Sequence, residues 1–558
     1  MAFGDLLEKV GSMGLFQVVS VFFLSIPVLF IASHNLVQNF SAAVPEHHCQ
    51  INVQVNGTAE NGTQPLDIAD ILKLSIPVDD DLKLERCRRF SETQWQLLGS
   101  NASLAAATVD AATEPCNDGW LFDDSIFKST IVTEWDLVCN LRPLKELAQS
   151  LFMAGVLVGA VVFGGLSDRF GRRFVLLWSL LLIALTGTAA AFAPSFVVYC
   201  VFRFLSGVGL SGLLLNYICL SLEWVPTNFR AIVVSVQGYC STGGQVILAG
   251  MAYWLRDWRW LQLAISLPFF IFFVYSWWLP ESARWLIVNN KAETALKNLQ
   301  RVARINGKKE EGDKISLEML RCDSLDNSSK ASQSSIASLF RTPAMCRISC
   351  CLMFVSFSTN FAYFGLSMDL QNFGMSVHLV QMLFGAIDVL AKVLCAVALV
   401  FFGRRTIQAS SLILAGVLLL LNMAVPLEMP ILRITLVILG KGSLAASSLC
   451  SYLYSGELFP TIVRQTGMGF TTMMARLGGI VAPGILMAGD YFPFLPLTIF
   501  GVCPIISGIA ACFLPEMLNC PLLDTIEEVE ERARHKEIVT TRETKDEVVI
   551  YVIEATKF

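Results

Sequence analysis

Residues 223–230 read EWVPTNFR, and residues 457–464 read ELFPTIVR. Both fit E-x-x-P-T-x-x-R, and they start 234 residues apart. Two further marks recur in step. GRR stands at 171–173 and 403–405, and LPE at 279–281 and 514–516, with offsets of 232 and 235 residues. Three marks repeated in one order at nearly one interval predict an internal duplication.

Composition says what lies between the marks. Of 558 residues, 54% are hydrophobic and 16% charged, with a mean hydropathy of +0.58. A soluble chain of this length needs more polar surface, so the long apolar runs read as membrane spans. The first, Leu15 to Ser33, carries no charge and is long enough for a bilayer core of about 30 Å. A secretory signal would have a shorter apolar region after a basic start, whereas Asp5, Glu8 and Lys9 precede this one. Further spans are predicted near 146–166, 174–192, 196–221, 231–254 and 259–279, then 347–368, 378–400, 408–425, 431–455, 465–490 and 494–515. The expected fold is all-α and integral to the membrane, with twelve helices in two parallel six-helix repeats. Residues 1–280 form one half and 346–515 the other, joined by a polar loop 281–345 and followed by a tail 516–558.

Lysine and arginine set the orientation. Asp168 to Arg173 (DRFGRR), Arg230, Gly403 to Arg405, Arg464 and the basic residues of the linker fall on one side. That side is predicted to be cytoplasmic, with both termini on it and the chain in the plasma membrane. Segment 34–145 is then a large extracellular loop. It holds sequons at Asn39, Asn56, Asn61 and Asn101 and four cysteines, Cys49, Cys87, Cys116 and Cys139. An oxidised, glycosylated loop would use both. Four cysteines allow three pairings, which the sequence leaves open. Asn327 also opens a sequon but lies in the linker, and is expected to be bare.

In each repeated phrase the glutamate ends a span, proline and threonine make the turn, and arginine starts the next span. Glu223, Arg230, Glu457 and Arg464, with Asp168, Arg169, Arg172 and Arg173, are expected to form ion pairs that a rocking motion makes and breaks. The plainer alternative is static marking of helix ends.

Ionisable groups inside spans are costly and commonly functional. Arg203 lies near the outer surface, which suits a structural role. Asp388 and Lys392 are i, i+4 on one helix and expected to neutralise each other. Lys441 and Arg476 fall near mid-depth with no acidic partner in view, so both are candidates to bind an anion, Arg476 above Lys441.

Residues 164–173 read GGLSDRFGRR; G-x-x-x-D-R-x-G-R-R between spans 2 and 3 resembles the signature of the major facilitator superfamily. The second copy keeps only Gly403, Arg404 and Arg405. NFSAAVPEHHC, STIVTEWDLVC, YSWWLPESARW, RVARINGKKEEG and GELFPTIVRQTGMG extend the resemblance to the organic anion transporter branch of the organic ion transporter family, from residue 1 to about 530. Within that branch the chain is most similar to the renal-type exchangers. The resemblance implies alternating access, amphipathic organic anions as cargo, and for some members exchange against intracellular dicarboxylate such as 2-oxoglutarate. Lys392 and Arg476 fall on the family's basic positions in spans 8 and 11; organic cation relatives tend to carry an acidic residue in place of Arg476. Tyr363, Phe364 and Tyr452 fall in its aromatic cage. Tyr239 in span 5 and Asn35 at the end of span 1 are further lining candidates, since aromatic faces suit flat rings and polar tips orient an anion. Ser241 and Ser448 stand where an aromatic is usual. That implies a roomier or more polar pocket and leaves a facilitative carrier of steroid conjugates, prostaglandins or urate as an alternative.

Other classes fit less well. A primary pump needs a phosphate loop, and no G-x-x-x-x-G-K-[ST] is present. A channel does not need the twofold repeat. No metal-ligand or nucleophile–base constellation suggests an enzyme, and neither a cofactor nor a nucleic-acid partner is expected. The non-transport rival is a glycosylated receptor with a large outer loop. The final residues, ATKF, fit a loose S/T-x-hydrophobic pattern at Thr556 and Phe558 for a PDZ-type scaffold.

Overall fold

The computed structural model describes residues 7, 10–51, 68–78, 84–94, 112–289, 291–317, 320, 339–370, 375–426, 429–460, 463–489, 491–518 and 525–532. In lipid a backbone must satisfy its own hydrogen bonds, so each apolar run closes into a helix. Eleven helical segments are long and apolar enough to cross a membrane, and a shorter apolar helix follows. They are α1 (Leu15–Leu36), α2 (Pro143–Phe170), α3 (Arg172–Ala191), α4 (Phe196–Trp224), α5 (Thr227–Trp254), α6 in two pieces (Trp258–Ser266 and Pro268–Ser276), α7 (Pro343–Met368), α8 (Val377–Phe402), α9 (Arg404–Ala424), α10 (Pro430–Leu458), α11 (Arg464–Gly489) and the shorter α12 (Leu495–Ala511). Proline opens α2, α7, α10 and α12, where its missing N–H costs little. Pro268, by the same property, splits α6.

The face bearing the repeated marks is called inner here, and the face bearing segment 34–145 outer. The halves meet along two seams, α2 against α11 and α5 against α8. Toward the outer face one apolar cluster takes residues from both: Leu36, Phe40, Leu248 and Ala252 with Leu366, Val377, Val380 and Phe384. The rings of Phe40, Phe127 and Tyr253 gather around His378, with centroids 5.2, 5.7 and 5.8 Å away. Toward the inner face a separate cluster of Met345, Leu352, Leu458 and Phe459 stays within the second half.

The linker is more than a polar loop. Its helices Ala283–Val288 and Ala292–Ile305 turn an apolar stripe, including Trp285, Leu299 and Val302, onto Phe16 and Trp224 of the first half. Asn306 then ties the start of α1, accepting from Phe16 N–H and donating to the Val10 carbonyl and Gln17 Oε1.

In the outer segment two small antiparallel pairs form, His47–Cys49 with Trp120–Phe122 and Arg88–Phe90 with Thr113–Pro115. Disulfides join Cys49 to Cys116 and Cys87 to Cys139, which resolves the open pairing. Glu134 docks the segment on the first half, accepting from Trp258 Nε1 at 2.8 Å and pairing with Arg259. Asn39 corrects one expectation. It is buried, and its amide donates to the Ser367 carbonyl at 2.6 Å and Gln381 Oε1 at 3.2 Å. A glycan on that nitrogen would break the joint between the halves. Asn56, Asn61, Asn101, Asn327 and the terminal ATKF lie outside the described residues.

Candidate functional site

Each half carries one charge cluster at the inner face, and the three repeated marks are its parts. The Glu281 carboxylate accepts from the backbone N–H of Arg172 and Arg173 at 3.1 to 3.2 Å. It satisfies the free donors at the start of α3 and complements the helix dipole. Glu516 does the same for Arg404 and Arg405 at 2.8 and 3.0 Å. The GRR glycines turn the chain at φ +104° (Gly171) and +82° (Gly403), and a Cβ on either would come within 2.4 or 2.7 Å of its glutamate. Burial pushes the Glu281 carboxyl above the usual range, and nearby Glu223 adds to this against three backbone donors. For Glu516 burial again pushes upward, but donors at Arg404, Met517, Arg405 and Leu518 outweigh it and hold the carboxyl low.

The glutamates of the repeated phrase complete the clusters unequally. Arg404 donates to both oxygens of Glu457, at 2.8 and 2.9 Å. Arg172 meets Glu223 at 3.5 Å and Asp168 at 3.0 Å. The phrase arginines fold onto their own turn in both halves, Arg230 to the Val225 carbonyl and Arg464 to the Phe459 carbonyl. Arg169 lies against Phe170, and Arg173 donates to the Trp277 carbonyl. In this conformation Glu223 and Glu457 pair between helices of their own half, and Arg230 and Arg464 bond to backbone carbonyls of their own turns.

The membrane interior sorts the expected ligands. Arg203 is fully buried over the Phe152 ring and donates to the His34 carbonyl and Gln149 Oε1, a structural role. Lys441 is also fully buried, 4.1 Å from the Tyr363 centroid and 4.7 Å from that of Phe384, with Ser367 Oγ as acceptor. Those rings and that hydroxyl shut it away, so it is moved from the cargo residues to the scaffold. Asp388 and Lys392 lie within electrostatic reach of each other on α8, but no ion pair within 4.0 Å joins them. Asp388 instead accepts from Tyr363 OH at 2.5 Å and Gln245 Nε2 at 3.4 Å, and Lys392 donates to Thr242 Oγ1 at 2.7 Å. Gln245 and Thr242 belong to α5, so both bonds cross the α5–α8 seam.

Arg476 differs from these. It sits twelve residues into α11, about 18 Å along the helix. It is partly buried, and the Tyr217 hydroxyl lies within its electrostatic reach. No hydrogen bond or ion pair holds its guanidinium among the described residues. Tyr452, 40% exposed although enclosed, shares the electrostatic neighbourhood of Tyr217. Phe364 reaches the α2–α11 seam, edge-on to Tyr363 and beside Gly479. Tyr239 is 37% exposed, and Ser241 and Ser448 are half-buried. Asn35 accepts from Gln149 through its carbonyl, while its side-chain oxygen is buried without a partner. Lys392 and Arg476 thus stand on α8 and α11, the second-half helices of the two seams.

Comparison with known proteins agrees with this architecture. The family model described as Major Facilitator Superfamily matches residues 142–483. Solute carrier family 22 member 6 of Danio rerio is 51% identical over 537 residues, covering 95% of each chain. The chain belongs to solute carrier family 22. Solute carrier family 22 member 20 of Mus musculus is 48% identical over 98% of each chain. A solved structure titled as the inward open conformation of the xylose transporter XylE from E. coli aligns with TM-score 0.59 at 15% identity, over 92% of this chain and 99% of that one. The last likeness shows the fold alone. This solute carrier is a multi-pass membrane transporter of organic ions, not an enzyme, as its organic anion transporter resemblance implied.

Sequence reading missed Thr242, Gln245, Tyr217 and His378, which are neutral or ordinary by residue type. It noted the LPE marks without giving them a task. Their fixed offset was the usable signal for Glu281 and Glu516.

Proposed function

We propose that this transporter carries amphipathic organic anions across the plasma membrane by alternating access, in exchange for intracellular dicarboxylate such as 2-oxoglutarate. The inner face is then cytoplasmic, with both termini on it. One observation carries the reading: Arg476 is a mid-membrane guanidinium with no partner among the described residues. A buried cation is costly unless an anion compensates it, and a guanidinium grips carboxylate or sulfate at two points. Lys392 supplies the second positive group, and Phe364, Tyr452 and Tyr239 supply ring faces.

The test is surface-normalised uptake of a labelled organic anion, with and without preloaded 2-oxoglutarate. Arg476→Lys should keep some uptake at weaker affinity, and Arg476→Asp should abolish it. Wild-type anion uptake by Arg476→Asp would remove this arginine from cargo selection. Uptake indifferent to every dicarboxylate would favour the facilitative alternative.

A further inference from the structure

We infer that Asp388 is a positioning residue that switches Lys392 between a neutralised and a cargo-facing state as the halves move. This rests on the reading of Lys392 as an anion-binding group.

Asp388 and Lys392 lie one turn apart on α8, with the carboxylate toward the N-terminus. That is the favourable order for an i, i+4 pair. In this conformation the other half keeps them apart. Gln245 holds Asp388, together with Tyr363, and Thr242 holds the Lys392 ammonium. The remaining Asp388 oxygen, Oδ1, is buried with no hydrogen-bond partner. An unpaired buried carboxylate oxygen is costly; two ammonium groups, Lys392 on the same helix and Lys441 caged on α10, are within electrostatic reach, and Lys392 is the one whose tether crosses to the other half.

Thr242 and Gln245 are three residues apart on α5. Any motion that draws α5 away from α8 breaks both tethers together. Lys392 then loses its acceptor at the moment Asp388 regains a free face, and the two close into an ion pair within α8. The two conformations therefore present different charge to the cavity. With the seam closed, Lys392 is uncommitted to a carboxylate and adds to Arg476. With the seam open, Asp388 cancels it. Anions bind more tightly in the seam-closed form and are released more readily from the other. Tyr363 stays with Asp388 on the second half in either form, which keeps its ring over Lys441.

Hydrogen exchange of the purified full-length protein in lipid nanodiscs, read at the outer ends of α5 and α8, tests the switch without requiring transport. Asp388→Asn still accepts from Tyr363 and Gln245 but cannot pair with Lys392, so exchange there should slow. Thr242→Val releases Lys392 to Asp388, so exchange should quicken. Each shift is expected at about tenfold, the factor corresponding to a 1.4 kcal/mol bias. Adding 2-oxoglutarate should slow exchange in wild type and leave Thr242→Val less protected. Shifts in the same direction, or none in Thr242→Val, would overturn the switch. Opposite shifts with no 2-oxoglutarate effect would keep the charge exchange and remove the anion reading of Lys392.

Discussion

Replacing Glu457 with glutamine probes how rigidly the inner clusters hold each half, and the structure supplies the size of the effect. Glu457 takes two bonds from Arg404, and the partners are 26% and 24% exposed. A charge-assisted hydrogen bond contributes about 1.5–3 kcal/mol, and partial exposure screens part of it. Glutamine keeps one acceptor and loses the charge, so the loss is about 1–2 kcal/mol. In a cooperative unit of about 170 residues that corresponds to a Tm lower by about 2–8 °C. Glu223 makes a single 3.5 Å contact with an arginine that also has Asp168. Its replacement by glutamine should cost about 0.5 kcal/mol or less. The assay is thermal unfolding of both variants in the same detergent, followed by tryptophan emission, beside surface-normalised uptake. Glu223→Gln lowering Tm as much as Glu457→Gln, or Glu457→Gln changing neither Tm nor uptake, would refute the reasoning.

The capping glutamates should respond to pH in opposite senses. Glu516 is held below its unfolded value, so its contribution is complete above that value and is lost as pH falls through the folded one; Glu281 is raised, so its contribution is fullest below the unfolded value and declines as pH rises through the folded one. Glu516→Gln should therefore lower Tm at pH 7 more than Glu281→Gln does, with the gap narrowing in acid; equal losses at both pH values would contradict this. Lys441→Gln should reduce the amount of protein at the surface, because it empties a cage of two rings and a hydroxyl, while leaving the apparent KM of the surviving transporter within about twofold. A large KM change at normal surface level would return Lys441 to the cargo site. Asn39→Gln should leave electrophoretic mobility unchanged before and after deglycosylation, since the amide is committed to Ser367 and Gln381; a faster band before deglycosylation alone would show a glycan there.

Much of the fold was legible because the signals are periodic. Twelve apolar runs mark the helices, and three marks at one offset reveal the duplication. The boundaries shifted in a regular way. Helices α9 and α10 run three or four residues past the predicted ends because their charged terminal residues, Arg404 and Glu457, are inside the helix and held by the cluster. The site was legible only in part. Arg476 stood out because a charge in an apolar run is visible in one dimension. The partners of Lys392 and Asp388 were not, because Thr242 and Gln245 are 150 and 143 residues away and carry no charge to signal a pairing. Lys441 misled for a related reason: its compensation comes from aromatic faces, which in an apolar helix look like ordinary packing, from the Ser367 hydroxyl and from Asp388 on another helix.

The distribution of strong and weak contacts itself favours two moving halves. At the inner face the charged bonds of Glu281, Glu457 and Glu516 all close within one half. Breaking such bonds would cost several kcal/mol together, and a rocking motion has no need to break them. Among the described residues, the contacts that cross between halves include apolar packing, hydrogen bonds of Asn39, Gln245 and Thr242, and rings around His378. A neutral bond of this kind contributes about 1 kcal/mol net and one to Asp388 or Lys392 about 1.5–3 kcal/mol, and each can be exchanged for another partner nearby. Under the proposed alternating access, a carrier needs strong bonds inside its moving bodies and replaceable ones between them. In the inferred switch the α5–α8 seam adds a charge to that scheme, since the bonds that would release on opening are the Gln245 and Thr242 tethers of Asp388 and Lys392.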